Sequence, residues 1–128
     1  MTQLTYDVSL RIPADGAYLS ILRTATAGLA ARLDFTLDDI EDLRIAVDEA
    51  CALLLPQATL GSELACGFVV EPDCLTVEVT ASSPEPREPS RDGFAWTVLT
   101  ALASEVDART DSGAVTLTLT RRRESLSP

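Results

Sequence analysis

Glu49 is the residue whose type and placement in this sequence could do chemistry. Between Ile40 and Cys51 (IEDLRIAVDEAC) apolar residues recur at helical spacing. At about 100° per residue, Ile40, Leu43, Val47, Ala50 and Leu54 form a stripe to be buried. Glu49 falls on the flank away from that stripe, in a column with Asp42, Ala46 and Leu53. A glutamate so placed can act as a general base or orient a water. It can equally be one more solvated acid on a helix already carrying Asp42 and Asp48. The rest of the composition narrows the options: with no His, Lys or Asn anywhere in the chain, chemistry that needs any of these is excluded.

The formal charge of −10 argues against nucleic-acid binding, which relies on Lys and Arg to neutralise phosphates. The one basic cluster, Arg121-Arg122-Arg123, ends the last predicted strand and reads as a solvated terminus whose charges discourage edge-to-edge pairing. Cys51, Cys66 and Cys74 lack metal-ligand spacing and are expected to be reduced, small apolar fillers. Cys66 and Cys74 sit too far out of step along their strands to bridge. No apolar run is long enough to span a bilayer and no signal pattern opens the chain, so a cytoplasmic location is expected.

At 128 residues a single domain over residues 1–128 is expected, with a short tail at 124–128. Tyr6, Val8, Leu10 and Ile12 alternate with polar residues, which predicts a half-buried strand closed by Pro13. Asp15 can cap a first helix with Tyr18, Ile21, Leu22, Ala25, Leu29 and Leu33 inward. Thr36 opens the second helix in a run resembling a capping box, and Asp38, Asp39 and Glu41 suit the positive end of its dipole. Pro56 stops it. A hairpin follows, with Leu64, Cys66, Phe68 and Val70 on one strand and Leu75, Val77 and Val79 on the other. Residues 83–92 hold three prolines and no hydrophobic side chain, which predicts an exposed, mobile loop. A third helix from about Gly93 would turn Phe94, Val98, Leu99, Leu102 and Val106 inward, followed by a short strand at 107–110 and a last strand carrying Val115, Leu117 and Leu119. Strands with one apolar face predict an α+β, two-layer sandwich: a largely antiparallel mixed sheet with about three helices on one face.

The segment Ile40–Cys51 resembles the helix motif of the anti-sigma factor/serine kinases of bacterial partner-switching systems, which have the histidine-kinase-like ATPase fold of the GHKL superfamily. The first strand and helix, the loop at 83–92 in the place of the family's ATP lid, and the segment 93–106 agree with it, above all with divergent actinobacterial members. The resemblance spans about residues 4–122. It implies that Glu49 stands where the family has its catalytic glutamate, which activates the attacking hydroxyl of a partner's serine. The family's Mg²⁺-binding asparagine falls at Leu53, an apolar side chain that cannot ligate a hard cation. Where the family reads adenine with an aspartate followed by glycines, the sequence has Ala81-Ser82-Ser83-Pro84. The glycine-rich turn before the third helix is reduced to Gly93, with Ala95 where a second glycine would lie.

Arg23 matches the first-helix arginine with which the family contacts its sigma factor or the antagonist. On residue type alone it can equally be a solvated helix arginine. The resemblance therefore implies an anti-sigma factor that sequesters a sigma factor and is released by a STAS-domain anti-anti-sigma protein, with homodimerisation expected from the family. The alternative is an active serine protein kinase that phosphorylates the antagonist with Mg-ATP, and a weaker third reading is an interaction domain for an unrelated partner. With three nucleotide elements altered, no ATP or Mg²⁺ cofactor is expected.

Overall fold

The computed structural model describes residues 5–123, so the tail at 124–128 lies outside the described residues. Five strands form one antiparallel sheet in the order β1-β2-β3-β5-β4. They are β1 (Val8–Pro13), β2 (Glu63–Glu71), β3 (Cys74–Ser82), β4 (Glu105–Asp111) and β5 (Ala114–Arg122). Helices α1 (Leu19–Arg32), α2 (Leu37–Leu54) and α3 (Phe94–Leu102) share one hydrophobic core with a single face of the sheet. The two-layer α+β architecture is as expected, although no strand pair among the described residues is parallel.

The period-2 pattern places Leu64, Cys66 and Phe68, then Leu75, Val77 and Val79, then Val115, Leu117 and Leu119 under the helices, all of them buried. Burying each of the larger side chains contributes about 1.5–3 kcal/mol. Gly113 takes φ +79°, the left-handed backbone that lets β4 turn back into β5. All three cysteines are free and buried; Cys66 lies opposite Val79 and Cys74 opposite Glu71, so neither faces the other. Burial pushes the Cys51 thiol up to about 12 and the Cys66 thiol up to about 11, which keeps both neutral.

Several helix faces differ from expectation. In α1 the buried residues are Leu22, Thr26 and Ala30, while Tyr18 and Ile21 are exposed. An i, i+4, i+8 line of two small residues beside one leucine suits close packing, and the Thr26 hydroxyl is satisfied by Leu22 O at 2.8 Å. Asp15 caps the short 3-10 turn Gly16–Tyr18 that precedes α1. Thr36 caps α2 as expected, accepting from Asp39 N–H at 3.1 Å. In α3, Phe94 is 84% exposed and Trp96 is buried in its place, while Val106 belongs to β4, because the helix stops at Leu102.

The basic cluster also departs from its reading as a solvated terminus. Arg121 Nη2 donates to Asp39 at 2.6 Å, its Nη1 donates to Leu102 O at 2.6 Å, and Asp42 stands 3.4 Å away. One guanidinium thus joins β5 to α2 and to the C-terminal end of α3. Asp39 is 1% exposed, a buried carboxylate tolerable because a cation meets it.

Tyr6 precedes β1 and lies on the uncovered face of the sheet, not in line with Leu10 and Ile12. Its ring rests over Gly67, where a Cβ would collide with it, and its hydroxyl donates to Glu78. Glu78, only 2% exposed, also accepts from Arg109 at 3.2 Å and from Thr118 at 3.1 Å.

Candidate functional site

Helix α2 carries two separate surfaces, because successive residues point about 100° apart. Asp48 faces α1, where its carboxylate lies 3.0 Å from Arg23 Nε. Asp42 faces the other way, towards Arg121 and the end of α3. Glu49 is in the Asp42 column, two turns on, and so belongs to the α3 flank. The structure therefore does not bring Arg23 and Glu49 together.

The Glu49 column is less solvated than its spacing implied. Ala46 is fully buried, Leu53 packs against the core, and Glu49 is half-buried. Among the described residues Glu49 makes no hydrogen bond or ion pair. Its carboxylate is therefore uncommitted and half-buried.

At the positions the resemblance assigns to metal and nucleotide, the side chains differ from the family's. Leu53 offers no oxygen to a metal. At the end of β3, Ser83 is buried; its hydroxyl donates to the Gln57 side chain at 3.2 Å and its N–H to Gly113 O at 2.9 Å. At the start of α3 the Gly93 N–H donates to Ser90 O at 3.1 Å, so the amide that would meet a phosphate is engaged in a turn. Gly93 has ordinary extended angles, and a Cβ there would sit 3.3 Å from Ser90 O, a tight fit that explains the glycine without a ligand.

On the other surface, Arg23 and Asp48 are 37% and 42% exposed. The Arg23 Nε is buried and finds no aligned hydrogen-bond acceptor, so the contact is an ion pair without hydrogen-bond geometry. Such a pair is readily exchanged for a better one, since half-exposed ion pairs contribute little. Tyr18 and Ile21 present exposed apolar surface nearby in the sequence of the same helical segment. A cavity of about 120 Å³ lies elsewhere, on the open sheet face beside Tyr6, Arg11, Gly67 and Thr80.

Gln57 and the Arg91–Trp96 pair were not singled out in the sequence, and Arg121 was read there as part of a solvated terminus. Gln57 has no pattern to betray it, whereas Arg121 could have been suspected from its in-phase position with the buried Leu117 and Leu119 on β5.

A solved structure of the RsbU and RsbW domains of Rv1364c from Mycobacterium tuberculosis has the same fold, with a TM-score of 0.65 and 21% identity, matching 91% of this chain and 32% of that one. Sequence comparison is more specific. The anti-sigma-F factor RsbW of Mycobacterium tuberculosis is 36% identical over 133 residues, covering 94% of this chain and 76% of the relative. The serine-protein kinase RsbW of Bacillus velezensis is 50% identical over a shorter stretch of 44 residues, 34% of this chain and 28% of its own. No model of a protein family matches. The chain belongs to the RsbW family of anti-sigma factors and serine-protein kinases.

Proposed function

We propose that the chain is an anti-sigma factor that sequesters a sigma factor through the α1 surface around Arg23, and that a STAS-domain anti-anti-sigma protein releases it by competing for the chain. The observation carrying this reading is the family relationship over 94% of the chain, combined with an arginine held half-exposed and loosely paired where the family meets its partners. An acidic group on the partner can take the Arg23 guanidinium from Asp48 at small cost. Homodimerisation accompanies this reading from the family. No helix among the described residues is long and apolar enough to cross a membrane, which suits a regulator of polymerase in the cytoplasm.

The test is capture on the immobilised full chain. A sigma factor of the host should be retained without nucleotide and eluted by its STAS-domain antagonist; retention of none of the host's sigma factors contradicts the proposal. Glu49, half-buried and uncommitted, supports a second reading as a serine protein kinase acting on the antagonist. Calorimetry with Mg-ATP and a labelled phosphotransfer assay separate the two. Micromolar binding with phosphate appearing on the antagonist, lost in Glu49→Ala, establishes the kinase; no binding and no transfer leave the binding protein.

A further inference from the structure

The segment 83–92 is exposed along most of its length, yet side chains fasten it at both ends. Gln57, in the 3-10 turn Leu55–Gln57 that follows α2, donates its Nε2–H to Arg87 O at 2.9 Å and accepts at Oε1 from Arg87 N–H, also at 2.9 Å. One carboxamide thereby pairs with both backbone groups of one residue, as a neighbouring strand would. The same Oε1 accepts from the Ser83 hydroxyl. At the far end the Arg91 guanidinium lies 4.6 Å from the centroid of the Trp96 ring. Its Nη2 also reaches Ala108 O and the Asp107 carboxylate, each at 3.4 Å, and Glu88 at 3.5 Å.

We propose that residues 83–92 form a latched strap, shut by protein contacts alone, with the Gln57 carboxamide as the latch and the Arg91–Trp96 stack as a separate anchor. The strap does not wait for nucleotide to close it. Pro84, Pro86 and Pro89 make this possible. Each fixes φ near −65°, so the released segment has fewer conformations to lose when it closes, and one bidentate contact suffices to hold it. Gln57 reads only backbone at Arg87, so the latch is insensitive to the Arg87 side chain. The latch holds Ser83 and Arg87 through Gln57 and the anchor holds Arg91 through Trp96, so each can be released without removing the other's partner. The inference goes beyond the proposed function, since it holds whichever partner the chain binds.

Amide hydrogen exchange by NMR on the full chain, with acrylamide quenching of Trp96, the sole tryptophan, tests it. The Arg87 amide should exchange at least tenfold more slowly than those of Glu85 and Glu88 after correction for sequence. Gln57→Ala should abolish that protection while leaving Trp96 quenching unchanged, with Tm lowered by a few degrees because the buried Ser83 hydroxyl loses its acceptor. Gln57→Glu, which keeps an acceptor and loses the donor, should retain part of it, and Arg91→Ala should raise Trp96 quenching without releasing Arg87. Saturating Mg-ATP should leave Arg87 exchange as it was. The proposal is overturned if Arg87 exchanges as fast as its neighbours, if its protection survives Gln57→Ala, or if protection arises only with Mg-ATP. Sigma-factor capture by the same variants is read separately, so failure of the partner assignment does not bear on the latch.

Discussion

Replacing Arg121 by Ala removes a side chain that ties β5, α2 and α3 together. Two strong bonds go with it, the 2.6 Å contact to the buried Asp39 carboxylate and the 2.6 Å contact to Leu102 O. Breaking a buried ion pair by deleting one partner typically costs about 3–5 kcal/mol. The Arg121 side chain is 18% exposed, so water can follow into the space it leaves, and the lower end, about 3 kcal/mol, applies. For a domain of this size that lowers Tm by about 10–15 °C. Urea titration followed by circular dichroism measures the loss directly. Arg122→Ala is the control, because its 2.8 Å pair with Glu105 joins side chains that are both more than half exposed and should leave the urea midpoint nearly unmoved. A double-mutant cycle with Asp39→Asn should show a coupling of about 1–3 kcal/mol. If Arg121→Ala costs no more than Arg122→Ala, the cluster is a solvated terminus after all and the tie is not structural.

Three further outcomes are expected. Gly67→Ala should destabilise the fold by about 1–2 kcal/mol, since the new methyl meets the Tyr6 ring, and the loss should vanish in a Tyr6→Ala background, both read from urea midpoints. The Tyr6 phenol is pushed up to about 12 from its ordinary 10.0, first by burial and then by its hydrogen bond to Glu78. Its contribution to stability is therefore complete below pH 10 and lost as pH rises through 12; Tyr6→Phe should flatten that part of a stability profile measured from pH 9 upward. Arg23→Ala should weaken sigma-factor binding more than tenfold in calorimetry while moving Tm by only a few degrees at most, because the Arg23–Asp48 pair is half-exposed; unaltered affinity places the interface elsewhere.

Strand periodicity was plainly legible, because a one-residue slip would have turned Leu117 and Val77 out to solvent and left Thr118 and Glu78 in the core. The helix around Glu49 was equally readable: its cap at Thr36 and its buried Leu43, Val47, Ala50 and Leu54 stand as the spacing implies. The faces of the other two helices were less so. Thr26 is polar by type but small enough to be buried once it bonds back to Leu22 O, and Trp96, one turn before the buried Leu99, faces inward where Phe94 was expected. Contacts between residues far apart in the chain left no local trace. The Arg121–Asp39 pair spans 82 positions, the Tyr6–Glu78 bond 72 and the Gln57–Arg87 latch 30; the phase of β5 turns Arg121 inward, but no periodicity names the partners.

The central claim is that this chain inhibits a sigma factor by binding it, and transcription in vitro tests that most directly. Each sigma factor of the host is assembled with core polymerase on its own promoter, and the full chain is titrated in without ATP-dependent preincubation. The account predicts that initiation by one of them falls to background as the chain reaches a stoichiometric excess, that Arg23→Ala requires more than tenfold higher concentration, and that the STAS-domain antagonist restores initiation. Undiminished initiation with every sigma factor, at concentrations well above that of the polymerase, contradicts it.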